Sequence, residues 1–147
     1  MVVEQLDNRR SDVNASSKIV ELKSATNYIA AMMQQPPLPH PDADQITLSN
    51  VLGALSDQTR LAIINHLARD EARGALCGQF TDLAGKTAIT YHVAKLREAG
   101  VVNVTPEGTR RRVRLRRADL DARFPGFLDS IIASTKDLEL VGFESAE

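Results

Sequence analysis

The chain has no tryptophan, and aromatic residues of every kind make up only 4% of it. Its core must therefore be aliphatic, which favours small helices packed through Leu, Ile, Val and Ala. Cysteine occurs once, as Cys77, so no disulfide can form within the chain, in keeping with a reducing compartment. No apolar run approaches the ~18 residues that span a bilayer. The opening residues, Met1 to Asp7, lack the basic and then apolar layout of a secretory signal, so a soluble, cytoplasmic protein without a membrane partner is expected. Nor does one sign of charge dominate: 18 Lys and Arg face 19 Asp and Glu, for a net charge of −1. What remains is 43% hydrophobic over 147 residues, enough for one compact domain with an appendage.

The same scarcity narrows the chemistry. The three histidines, His40, His66 and His92, have no neighbouring Ser or Cys with which to form a nucleophile and base pair. No glycine-rich loop is present to cradle a phosphate, and the last 29 residues, from Asp119, contain no histidine. The expectation is a protein that is not an enzyme and has neither cofactor nor metal. Cys77 is read as a small buried hydrophobe rather than a thiol switch. The carboxylates Asp119, Asp121 and Asp129 are read as solvated charges, and His66 as a residue facing solvent.

The near-neutral total hides a strong local asymmetry. Between Lys86 and Arg117 there are nine Lys or Arg against two acids. This segment therefore carries +7 and the rest of the chain −8, the footprint of a nucleic-acid binder.

That basic stretch contains two elements. Residues 87–99 have the period of a helix: Ile89, Val93 and Leu96 form an apolar stripe, and Gly100 supplies a helix stop. The opposite face presents Thr87, Thr90, Tyr91, Ala94 and Lys95, with His92 on the flank, small or hydrogen-bonding groups suited to a major groove. After Gly100 the period becomes two. Val101 to Val104 leads through a Pro and Gly turn into Arg110 to Arg117, which predicts a hairpin. Val113 and Leu115 are expected to face the core, with Arg112, Arg114 and Arg116 pointing outward.

Upstream, the first 15 residues are polar and aperiodic and are expected to form a tail. A helix capped by Ser16 or Ser17 carries Ile19, Leu22, Thr26, Ile29 and Met33 to about Gln35. Four prolines between Pro36 and Pro41 then predict an extended linker and a domain boundary. Leu48, Val51, Leu52 and Leu55 mark the next helix, capped by Thr47. Ser56 is expected to cap another, lined by Leu61, Ile64 and Ala68. Residues 70–78 read as a loop. A short helix around Phe80, Leu83 and Ala84 and a turn at Gly85-Lys86-Thr87 then complete a helix-turn-helix plan. Beyond the hairpin, Phe124, Phe127, Leu128, Ile131 and Ile132 form a stripe larger than the domain needs, with Pro125 in the first turn of that last helix. A dimer seam is its economical use.

Three segments, Ala54 to Ile63, Ile89 to Val102 and Glu107 to Arg110, resemble in order and spacing the signature segments of the ArsR family of winged helix-turn-helix transcriptional regulators. Residues 120–128 are similar to the C-terminal segment of a subset of that family. The resemblance covers about residues 46–132. It implies a homodimer joined by the first and last helices of each winged domain, a recognition helix in the major groove and a wing along the backbone or minor groove. His92 stands where the family pattern has a histidine. Gln58 stands where the family has proline, the loop before Cys77 is long, and the first 45 residues have no counterpart in short members. The cysteine pair and the Asp and His ligands by which members sense metals are not present at the matching positions.

The combined expectation is a mainly α fold with a small β-hairpin wing, a dimeric winged helix-turn-helix. Residues 1–44 form an extension, 45–135 the DNA-binding and dimerisation domain, and 136–147 a tail. Lys86, Thr87, Thr90, Tyr91, His92, Lys95, Arg110, Arg111, Arg112 and Arg114 are the expected DNA-binding residues. The function expected is a sequence-specific, promoter-occluding repressor whose partners are double-stranded DNA, a second copy of itself and an effector of unspecified chemistry. The alternative is a winged module that binds protein or RNA.

Overall fold

The computed structural model describes residues 18–31 and 36–136. The chain divides into two compact units, Met1–Gln35 and Pro36–Glu147. In the first, residues 18–31 form helix α1, along which Ile19, Leu22 and Ile29 are exposed. The expected cap at Ser16 or Ser17 and the continuation through Met33 lie outside the described residues, as does the tail from residue 137.

In the second unit, Thr47 begins α2 (Leu48–Leu55) by accepting the amide proton of Asn50, one of the donors a helix start leaves unpaired. Only half of the expected stripe turns inward. Val51 and Leu55 are buried with Ala54, while Leu48 and Leu52 remain 44% and 48% exposed. The cap of α3 (Gln58–Ala68) is Asp57, not Ser56: its carboxylate accepts from Arg60 N at 3.0 Å, and Ser56 Oγ donates back to Gly53 O. A carboxylate also suits the positive end of the helix dipole better than a hydroxyl. The buried face of α3 is Ala62, Ile63, Ile64 and Leu67, with Leu61 and Ala68 half-buried at its margins.

The expected loop at 70–78 contains a strand. β1 (Ala75–Leu76) pairs antiparallel with β3 (Arg110–Leu115), Ala75 opposite Val113, and β3 pairs with β2 (Val102–Glu107). The sheet order is β1-β3-β2. Gly74 makes this third strand possible: its φ is +66°, and a Cβ there would collide with the carbonyl of Val113. In the hairpin Val102, Val104, Val113 and Leu115 all face the core. The chain reverses at Gly108-Thr109, where only Gly108 has positive φ, as in a type II′ turn.

A short 3-10 turn (Cys77–Phe80) runs into α4 (Thr81–Glu98), which is broken at Ala84 and Gly85, the latter at φ 64° and ψ 160°. That break is the turn of the helix-turn-helix, so Lys86 and Thr87 already belong to the second helical part. α5 (Arg117–Arg123) and α6 (Phe127–Thr135) close the unit, separated by Gly126 at φ 76°. Pro125 precedes the cap rather than entering the first turn. Leu120 and Leu128 are buried, and Phe124, Phe127, Ile131 and Ile132 pack half-buried against the core. Much of the stripe assigned to a dimer seam therefore serves its own domain.

Phe80 is the one fully buried aromatic side chain among the described residues. The ring of His66 meets it edge-on at a centroid distance of 5.4 Å, so His66 does not face solvent. Burial and the neighbouring Arg69 hold its pKa down.

The proline segment, expected as a linker, belongs to the second unit. Leu38 packs on the core and Ile46 is buried. His40 Nε2 accepts from Val104 N at 2.9 Å, Pro39 O from Arg97 at 3.2 Å and Pro41 O from Arg116 at 2.7 Å. Fixed φ angles and missing amide donors make proline suited to this extended strap.

Candidate nucleic-acid interface

Residues 86–98 of α4 carry the first half of the site. Ile89, Val93 and Leu96 are buried, and Thr87, Thr90, Tyr91 and Lys95 are exposed, so the period read from sequence is the period the fold uses. Lys86 is exposed in the first turn, directly after the break. Thr90 Oγ1 donates to Lys86 O at 3.0 Å, which spends its proton and leaves its lone pairs free to accept. Tyr91 is 56% exposed, with Lys95 Nζ 5.5 Å from its ring centre. The ammonium is thus held over a ring face, a cation–π contact.

His92 is turned to the flank. Its Nδ1 lies 3.3 Å from a guanidinium nitrogen of Arg60 and 3.7 Å from Asp57 Oδ1. The imidazole is a joint between α3 and the outward helix.

The wing carries the second half, and here the alternation pattern misleads. Arg110 is exposed beside the turn and Arg111 is half-buried. Arg112 donates twice to the carboxylate of Glu107, its second bond at 2.9 Å, and once to Arg73 O. The pair draws the Glu107 carboxyl below its ordinary pKa, chiefly through the hydrogen bond from Arg112. Arg114 donates to Ala72 O. Its charge is not cancelled, but its guanidinium leans on the loop before β1. Arg116, expected outward, is only 9% exposed, and it pairs with Asp119 at 2.9 Å and holds Pro41 O.

Arg117 is a hub. It forms a two-pronged pair with Glu71, a further bond to Asp129 and a 3.8 Å approach to Asp121. The carboxylates of Glu71 and Asp129, through their hydrogen bonds, raise its pKa further above the ordinary arginine value. Asp119, Asp121 and Asp129 are therefore partners in ion pairs rather than freely solvated charges. Of the nine cations between 86 and 117, Arg112, Arg116 and Arg117 donate hydrogen bonds to carboxylates, and Lys95 and Arg97 lie 3.6 and 3.9 Å from the carboxylate of Glu98. The outward field comes chiefly from Lys86 and Arg110, both exposed, and from Arg114.

Cys77 is half-buried, and burial pushes its thiol pKa up, against a smaller opposing effect of Arg111. The neutral thiol form is favoured, as for a packing residue. Among the described residues no three of His, Cys, Asp and Glu gather into a metal-binding group, and no helix is long and apolar enough to cross a membrane.

A helical domain that breaks at Gly85, presents a polar helix face and adds a small antiparallel sheet is a winged helix-turn-helix. No family model matches the sequence. The chain is 34% identical over 90 residues to the uncharacterized HTH-type transcriptional regulator YceK of Bacillus subtilis (strain 168), a span covering 60% of this chain and 88% of that relative. The protein belongs to the helix-turn-helix transcriptional regulators.

Proposed function

We propose that the protein is a sequence-specific regulator of the ArsR type that binds double-stranded DNA as a homodimer and represses by occluding a promoter. The observation that carries this reading is the outward face of residues 86–98: Thr87, Thr90, Tyr91 and Lys95 stand exposed while Ile89, Val93 and Leu96 anchor the helix from behind. Short hydroxyl side chains allow close approach to a major groove, and Tyr and Lys reach its base edges or phosphates. Arg110, exposed at the hairpin turn, supplies a cation for the backbone beside it. The exposed Leu48 and Leu52 of α2, with Ile131 and Ile132 of α6, supply apolar surface for a second copy. In such a dimer the two outward helices meet half-sites about 34 to 36 Å apart.

A second reading is a winged module that contacts an acidic protein or RNA; the pairing of Arg112 with Glu107 leaves the wing one cation fewer to offer a DNA backbone. A shift assay on the protein's own upstream region, with random DNA and RNA as competitors, separates the two. Retention at a palindromic site against random competitor supports the regulator. Binding that falls with salt and shows no sequence preference supports the module.

A further inference from the structure

The contact between α3 and the outward helix assigns a chemical state to His92. A guanidinium has only donors, and Arg60 places one 3.3 Å from His92 Nδ1, so Nδ1 must accept. The competing arrangement, with a proton on Nδ1 shared with Asp57, spans 3.7 Å, too long for a hydrogen bond, and would aim that proton at a cation. Arg60 is itself fixed. Its Nε donates to Ala54 O, and its backbone N–H is taken by the capping carboxylate of Asp57. With Nδ1 committed, the proton of the neutral ring sits on Nε2, which has no hydrogen-bond partner among the described residues. The side chain keeps 15% of its surface accessible and adjoins the exposed Tyr91.

The geometry points to Arg60 as a positioning residue that locks His92 in its Nε2–H form, so that His92 presents a neutral, pre-aimed donor to a phosphate oxygen at the border of the groove. This rests on the DNA-binding reading above. The flank position of His92 favours the backbone over base edges, since the face turned furthest outward is held by Thr90, Tyr91 and Lys95. A neutral donor displaces no counterion, because salt dependence follows the charge a protein neutralises. Loss of His92 should thus weaken cognate and random DNA alike without changing the salt slope, unlike loss of a phosphate-binding arginine.

The test uses the full chain. Two-bond nitrogen–proton correlation spectra at about pH 8, above the ordinary histidine range, report the tautomer of His92 in the free protein. The expected result is Nε2–H in the wild type and a tautomer mixture in Arg60→Met. His92→Ala should bind DNA about tenfold more weakly, as expected for a lost hydrogen bond to a charged group. Arg60→Met should fall most of the way to that level, the double variant should be no weaker than His92→Ala, and Arg60→Lys should recover part of the loss. An Nδ1–H ring or a mixture in the wild type overturns the proposal, as do losses that simply add. Should Arg60→Met prove unfolded, the wild-type tautomer decides alone. A wild type with the expected tautomer that binds no DNA removes the regulator reading and with it the phosphate role, while leaving the Arg60 lock in place.

Discussion

His40 Nε2 accepts the amide proton of Val104 at 2.9 Å, and that bond closes the open side of the wing. β2 is an edge strand, and its unpaired amides would otherwise offer a template for another chain. Pro106 on the same strand has no amide proton to expose. The strap that carries His40 also touches the last turn of α4 through Arg97 and the start of α5 through Arg116, so one short extended segment braces the second part of α4 and the wing from behind.

The first prediction concerns pH. Nε2 can accept only while it is unprotonated, and burial, with smaller contributions from Arg97 and Arg116, holds the His40 pKa below 6.5 against the raising effect of a bond to Leu38 O. For a base whose folded pKa is depressed, the stabilisation is complete above the unfolded value and is lost as pH falls through the folded one. The melting temperature should therefore decline on acidification below about pH 6.5. His66, also depressed by burial, contributes to that decline. His40→Gln, which keeps an acceptor oxygen but cannot be protonated in this range, should flatten the curve in part. Superimposable melting curves from about pH 5 to 7.5 for the two proteins would show that His40 titration plays no part.

A second prediction separates the strap from the extension. Deleting residues 1–35 leaves Leu38, His40 and the carbonyls of Pro39 and Pro41 in place. Deleting residues 1–44 removes them all, with three hydrogen bonds each worth about 1 kcal/mol and the packing of Leu38. The longer deletion should lower the melting temperature by roughly ten degrees or more relative to the shorter one, at about 4 to 8 °C per kcal/mol for a domain of this size. Equal melting temperatures would show that the strap is not structural.

How much of this was legible in the sequence depended on the reach of each interaction. The faces of α4 followed from Ile89, Val93 and Leu96, because helical period is local. Val113 and Leu115 followed from alternation in the same way. Strand β1 did not, since two residues cannot display a period and Ala75 becomes a strand only by meeting Val113. Arg116 continues the outward alternation of Arg112 and Arg114, yet it is buried because β3 has ended and Pro41 O, far away in sequence, awaits it. One missed feature did carry a signal: once Glu107 is set opposite Arg110, Arg112 is its diagonal neighbour on the same face, a pairing that hairpin register makes readable. The strap was misread because prolines announce an extended chain but not what that chain lies against.

The third prediction divides the wing arginines. Arg110 is exposed, whereas Arg112 is committed to Glu107 and Arg73 O. Arg110→Ala should reduce the salt slope of DNA binding by about 1 for each phosphate no longer neutralised, or about 2 across a symmetric dimer. Arg112→Ala should change the slope less and instead speed amide exchange in the hairpin. A larger slope change for Arg112→Ala, read from isotherms at a series of salt concentrations, would reverse the assignment.

The fourth prediction tests self-association. Leu52 is 48% exposed on α2, so Leu52→Glu should leave the melting of the isolated fold nearly unchanged while converting dimers to monomers in sedimentation at micromolar concentration. Ile131→Asp should do the same at some cost in stability, because Ile131 also packs on the core. A wild type that sediments as a monomer would remove the dimer.

That residues 86–98 read base edges in double-stranded DNA is best tested at Tyr91, which is exposed and takes no part in the core. The decisive measurement is the affinity of Tyr91→Ala for its cognate site and for random DNA at the same salt concentration. A loss of about 1 to 3 kcal/mol is expected at the cognate site, with little change on random DNA. An equal loss on both would mean that this face does not read sequence.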